Sequence, residues 1–326
     1  MSGVDNREDG SRGWTSRSVG SKLQHAIFYR LIRLKARWII SLLLRAVVSY
    51  YVCFRPALRN RSSYYISRRF PGSSAFRRLR AAYLLDLSLG QTLLDRATLG
   101  IIGPDSVRVS FPEHERLAAL VGERKGVMLL TAHVGGWQVA MAALRFLEVP
   151  INLLLYRDEA DVDRHYFEHR GSASPFGIID PKEPMGGMLS AMEVLKKGEV
   201  LCVMGDRAFG SSRSTVVTRF LGDPITIPFS AFKIASVTGS PVAVIFSHRM
   251  GQGAYELTLD RVIRVPGGLG RSGVEFVPYV NQFVTGMEAF VTAHPFQFFN
   301  FFDMWRNDGP APEEREEVRR RARRRA

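Results

Sequence analysis

The stretch VMLLTAHVGGWQVA, residues 127–140, decides the fold. Val127 to Ala132 is apolar apart from Thr131, which predicts a strand covered on both faces, as strands of a parallel sheet are. His133 stands where that strand ends, and Gly135 with Gly136 permits a tight turn behind it. In open α/β sheets ligands collect at the carboxyl edge, so His133 is predicted at a ligand-bearing position. Gln138, five residues on, falls in the first turn of the next helix, where its side chain can fold back towards the imidazole. A carboxylate there would fix the ring tautomer and stabilise the imidazolium formed when the base takes a proton. A glutamine oxygen accepts the same hydrogen bond but supplies no negative charge.

Working outward, a short helix (EHERLAALV) precedes the strand, and further strands are predicted at INLLLY, GEVLCVMG, TVVTRF, PVAVIF and YELTLDRV. Helical stretches such as MGGMLSAMEVLKK and FSAFKIASVTG lie between most of them. Strands alternating with helices predict an α/β fold with a mixed, mainly parallel sheet covered by helices. VNQFVTGMEAFVTA then reads as a helix, followed by the aromatic residues Phe296, Phe298, Phe299, Phe301, Phe302 and Trp305, suited to packing on the core, lining an acyl groove or dipping into lipid.

Upstream, residues 56–101 keep helical period, with two or three helices expected before the sheet begins. Trp38 to Phe54 is an apolar run broken by a single charge, Arg45; its length is at the lower limit for crossing a bilayer and its charge falls mid-segment. Arg30, Arg33, Lys35 and Arg37 alternate with apolar residues just before it, the mix expected of a helix lying in a lipid interface. An ordinary buried helix with a solvated basic edge is the other reading. The expected organisation is a disordered segment 1–19, one domain over 20–308 (helical and membrane-associating over 20–101, α/β over 102–308), and a charged tail 309–326. No secretory signal is evident, which places the protein on the cytosolic side, as a monotopic anchor or with one N-terminal span.

The chain has 326 residues, 46% hydrophobic and 23% charged, with a formal charge of +14. A field of that sign favours anionic partners: phospholipid head groups, an acidic carrier protein or nucleic acid. No recognition helix, aromatic RNA-binding strand or zinc finger accompanies the charge, so nucleic acid is not expected. Cys53 and Cys202, the two cysteines, are far apart in apolar settings and read as core residues in a reducing compartment. His165 and His169 share a helical face, but the H-E-x-x-H pattern is missing, and no metal or cofactor is expected. There is no G-x-S-x-G nucleophile elbow, no phosphate-binding P-loop and no dinucleotide fingerprint.

AHVGGWQ resembles the H-x4-(D/E) block of the bacterial lipid A biosynthesis (lauroyl/myristoyl) acyltransferases. GEVLCVMGDRAFG and VTRFLGDPITIPFSAFKIASVTGSPVAVIF are similar to later blocks of that family, and SYYVCFRPALRNRSSYYISRRF and HPFQFFNFFDMW to its ends. The resemblance covers about residues 20–308. It implies a glycerolipid-acyltransferase fold at the cytoplasmic face of the inner membrane. The implied reaction moves a fatty acyl group from an acyl carrier protein or coenzyme A thioester to a glycolipid hydroxyl. His133 is the implied general base, Asp206 and Arg207 the implied acceptor or oxyanion side, and Arg170 an implied anion holder. Gly136 and Trp137 within the block, and Arg157 after INLLLY, are expected on the substrate side. Two departures stand out: Gln138 replaces the family's acid, and Gly136 its asparagine. Two readings follow, an active transferase with a neutral partner for His133, or a catalytically silent protein that binds lipid or acyl carrier.

Overall fold

The computed structural model describes residues 22–155, 176–183, 187–207 and 214–305. Four helices come first: α1 (Lys22–Arg33), α2 (Arg37–Phe54), α3 (Pro56–Arg69) and α4 (Ala75–Ile102). Pro56 opens α3 at a position where its missing N–H is no loss. α4 begins where the Ser74 hydroxyl accepts from the Arg77 amide and stops at Gly103, whose φ of 111° no L-residue adopts readily.

The α/β region follows, with β1 (Arg108–Ser110), α5 (His114–Gly122), β2 (Val127–Thr131), α6 (Trp137–Ala140), β3 (Ile151–Leu154), β4 (Gly177–Ile179), α7 (Met188–Lys196) and β5 (Val200–Met204). Then come β6 (Thr215–Phe220), β7 (Asp223–Pro228), α8 (Ser230–Thr238), β8 (Val242–Gly251), β9 (Ala254–Ile263) and α9 (Val277–Ala293). Seven strands form one sheet in the order β1-β9-β8-β2-β5-β3-β4, and every neighbouring pair is parallel except β8 with β9. The mixed, mainly parallel sheet is the one the alternation of strands and helices predicts. TVVTRF is a strand but lies outside that sheet: β6 pairs only with β7 as a hairpin. Its two-residue turn, Leu221-Gly222, has positive φ at both positions, the backbone hand that matches strand twist.

β2 shows why both faces had to be apolar. Met128 and Leu130 point into a core shared with α3, α4, α7, α8 and α9, while Val127 and Leu129 meet Leu117, Leu120 and the 140–147 segment on the opposite face. Phe298, Phe299 and Trp305 are buried in the first of these cores, so the aromatic run near the end packs on the sheet's helical layer.

α4 is held between two surfaces. Ala81, Ala82 and Leu85 face the α/β core, while Leu79, Tyr83, Leu87 and Leu94 pack on Leu44, Val48 and Val52 of α2. The other side of α2 is not covered by the described residues: Trp38 is 74% exposed, Leu42 62% and Phe54 71%. Cys53 lies on that uncovered side and is exposed, contrary to the core placement expected from its apolar neighbours; Cys202, on β5, is buried.

Two outcomes test this architecture. Gly135 has φ +53°, and a Cβ on it would strike the Ser247 carbonyl oxygen, so Gly135→Ala is expected to lower stability by at least about 2 kcal/mol in urea unfolding. Asp86, on α4, has no hydrogen-bond or ion-pair partner among the described residues, and burial pushes its carboxyl up to about 7. Its folded-state proton is therefore held more tightly than its unfolded-state proton, so stability falls as pH rises from about 4 to about 7 and then levels. Asp86→Asn is expected to stabilise the protein at pH 8 by on the order of 2 kcal/mol and to be neutral near pH 4, read from denaturation midpoints at both pH values.

Candidate active site

His133 and Asp206 meet because of strand register. β2 and β5 pair in parallel with Thr131 opposite Met204. His133 is two residues beyond the first and Asp206 two residues beyond the second, so both leave the sheet side by side at its carboxyl edge. The Gly205 amide donates to the Thr131 carbonyl at 2.8 Å, continuing the pairing one step past the strands.

The His133 ring Nδ1 lies 2.9 Å from Asp206 Oδ1 and 3.0 Å from Oδ2, and the His133 backbone N–H donates to Oδ2 at 3.1 Å. A carboxylate against Nδ1 makes that nitrogen the donor, which leaves the lone pair of the neutral ring on Nε2. Asp206 is 2% exposed. Burial alone would raise its carboxyl, but the His133 charge and hydrogen bonds, with Arg207 beside it, outweigh burial and hold it well below the usual carboxylate range.

A third segment closes the arrangement. After α9 the chain runs back along the 133–135 turn: Gly135 N–H donates to Gln297 O at 2.8 Å, Phe299 N–H donates to His133 O at 2.7 Å, and Val134 bridges Phe298 in antiparallel sense. Asn300, at the end of this strap, donates from Nδ2 to Asp206 Oδ2 at 2.7 Å and accepts from Arg207 Nε at 2.7 Å. Arg207 also donates to the Phe299 carbonyl at 3.1 Å and stacks over Phe302. Burial draws its guanidinium down to about 10 against the pull of Asp206. Asn300 thus stands between a carboxylate and the guanidinium next to it in sequence, and keeps the Asp206 charge turned to His133.

Gln138 does something other than expected. Its side-chain oxygen accepts from Arg96 Nη1 of α4 at 2.6 Å, and the acid at the His133 ring is Asp206, some seventy residues on. Gly136 has a local cause too: a Cβ there would run into the Tyr255 ring, so the asparagine of the related block does not fit. Tyr255 is pinned by its hydroxyl, which donates to Asp95 Oδ2 at 2.9 Å, and Asp95 also takes Arg249 Nε at 2.6 Å. Trp137 opens α6 directly behind the turn and packs partly against the second core. Arg157, Arg170, His165 and His169 lie outside the described residues. Asn300, Arg96 and Tyr255 were not singled out from sequence; a lone asparagine amid five phenylalanines was the available signal for Asn300. Among the described residues no group of three or more potential ligands is placed to hold a metal ion.

The arrangement is a histidine at a sheet edge, oriented by a buried ionised carboxylate. Such a pair can take a proton from a hydroxyl and return it to a leaving group. The family described as bacterial lipid A biosynthesis acyltransferase matches residues 28–307. No protein of curated function matches the chain. Among solved structures, the 1-acyl-sn-glycerophosphate (LPA) acyltransferase PlsC of Thermotoga maritima is similar over 79% of this chain and 98% of that one, at 14% identity and a TM-score of 0.35, too loose a likeness to bear on the site. The family match takes in α2 to α9, the His133 turn and the strap that carries Asn300, and the chain belongs to the bacterial lipid A biosynthesis acyltransferase family.

Proposed function

We propose that the protein is a membrane-associated acyltransferase that moves a fatty acyl chain from an acyl carrier protein or coenzyme A thioester to a hydroxyl of a lipid A-like glycolipid. The observation that carries this reading is the His133–Asp206 pair. His133 Nε2 takes the proton of the acceptor hydroxyl as that oxygen bonds to the thioester carbonyl carbon. Negative charge collects on the carbonyl oxygen and returns as the carbon–sulfur bond breaks, and the imidazolium gives its proton to the departing thiolate. Asp206 stabilises the imidazolium throughout, the part that a carboxylate plays towards histidine in other acyl transfers. Arg207, with the backbone around Gly136 and Trp137, is the polar material at the site for the developing oxyanion and the substrate. Arg157 and Arg170 keep their place as candidate holders of anionic groups on the substrate.

A catalytically silent reading rested on the missing charge at Gln138. An ionised Asp206 hydrogen-bonded to the ring supplies the charge that Gln138 lacks, which supports the active reading.

The membrane part rests on α2. It is the one described helix long and apolar enough to cross a membrane by length and composition, and only 22% of it is buried in the protein. Its 18 residues span about 27 Å, short of a hydrocarbon core of about 30 Å, and Arg45 sits near its middle. A helix lying in the interface of the inner membrane's cytoplasmic leaflet accommodates both features, with the cations of α1 at head-group depth.

Acyl transfer from an acyl thioester to a bacterial glycolipid extract, with products read by mass spectrometry, tests the chemistry. His133→Ala is expected to lower kcat/KM by about 10³-fold or more, and Asp206→Asn by about 10²–10⁴-fold. Gln138→Glu is expected to bring no gain, since the new carboxylate pairs with Arg96; a large gain would show that position 138, and not 206, supplies the acid. Asn300→Ala is expected to cost about tenfold and to move the acid limb of the pH–rate profile to lower pH, because Arg207 then draws on the Asp206 charge that otherwise favours the protonated ring.

A further inference from the structure

A cavity of about 540 Å³ lies between the α1–α2 corner, the C-terminal half of α4, residues 105–107 and the β8–β9 turn. Its volume suits a small-molecule head group. Its walls are partly apolar, with Ile40 and Leu44 of α2 and Leu94 of α4, and strongly cationic. Lys35, Arg37 and Arg45 all line it, and none of their three side chains has a hydrogen-bond or ion-pair partner among the described residues. On the opposite wall Asp95 is already taken by Arg249 and Tyr255, which leaves Asp105 as the lone carboxylate facing three unmatched cations.

The placement of Arg45 is the telling feature. Arg37, Ser41 and Arg45 follow at intervals of four, one stripe along α2, and all three line the cavity. Trp38 and Leu42, one residue on from the first two, are among the exposed apolar residues of the same helix. The charge that interrupts the apolar run is exposed on α2 beside its apolar side and also lines a cavity whose other cations it can join around one anion. A guanidinium pair with a lysine matches a phosphodiester, which accepts several hydrogen bonds at once.

We propose that this cavity binds the phosphate of an anionic phospholipid, held by Lys35, Arg37 and Arg45, with its acyl chains left to the Trp38–Leu42 side of α2. The site is separate from the acyl-transfer centre but shares a wall with it: Asp95 lines the cavity and holds Tyr255, whose ring stands behind Gly136. This inference rests on the membrane reading above.

The full chain, reconstituted with mixed phosphatidylcholine and phosphatidylglycerol and then stripped by detergent exchange, is analysed by native mass spectrometry for retained lipid. Wild type is expected to keep one phosphatidylglycerol. Arg37→Gln/Arg45→Gln is expected to lose it by at least about tenfold, while Arg30→Gln/Arg33→Gln, which removes two α1 cations outside this cavity, retains it. Ser41→Leu, which fills the cavity without removing charge, is expected to reduce retention as well, and the melting transition of each variant checks its fold. Equal retention by the cavity variant and the α1 control, or none by wild type, overturns the proposal. Flotation on vesicles of phosphatidylcholine alone and of the phosphatidylcholine–phosphatidylglycerol mixture separates the two readings: a wild type that floats but retains no lipid selectively sinks the site alone, and one that floats on neither sinks the membrane reading and the site with it.

Discussion

The structure depends on the parallel pairing of β2 with β5 in the register that sets Thr131 against Met204. A slip of one residue in a strand exchanges its two faces, and here both faces are core, so every buried side chain of β2 and β5 resists it. The same register decides where the two chains of functional groups emerge. His133 and Asp206 are each carried two residues past a paired strand end, so the pair needs no long-range adjustment of loops to form. The hydrophobic cores on either side of the sheet are, in this sense, what holds the imidazole against its carboxylate.

Around that pair the described polar groups form a connected set. Asp206 accepts from the His133 ring, the His133 backbone and Asn300; Asn300 in turn accepts from Arg207. A buried carboxylate with several donors stays ionised where an isolated one would take up a proton. The contrast with Asp86 is instructive, since that carboxyl is buried without donors and is pushed up to about 7. Two aspartates in one protein are driven in opposite directions by what surrounds them.

Much of the fold was legible in the sequence because it rests on periodicity. The longer apolar strands, the helices between them and the helical start follow from local pattern, while the short β1 and β4 and the hairpin partner β7 were not expected, and His133 at a strand end follows from the two glycines after it. The partner of His133 was harder to read. Proximity in sequence favoured Gln138, five residues away, whereas the parallel register favours a residue at the end of another strand. VMLLT-Ala-His and VLCVM-Gly-Asp have the same form, an apolar five-residue strand, one small residue and then the ionisable group. That likeness carried the signal, but it becomes informative only once the two strands are known to be neighbours. Tyr255 was beyond reach for the same reason, and Asn300 offered only its isolation among phenylalanines: each acts through a contact with residues distant in the chain. TVVTRF shows the reverse limit, because β-propensity and alternation identify a strand and say nothing of which sheet it joins.

The strap from Gln297 to Asn300 gives the chain an order of assembly during synthesis. α1 and α2, which carry the apolar and basic surface, leave the ribosome well before the residue that braces Asp206, which comes some two hundred and fifty positions later. Domains tend to fold as their residues emerge, from the N-terminus on. The helices can therefore settle at a lipid surface while the bracing of the His133–Asp206 pair is still incomplete. A nascent or prematurely ended chain that stops short of the strap would lack Asn300, and full competence for acyl transfer would come only once that strap had been made.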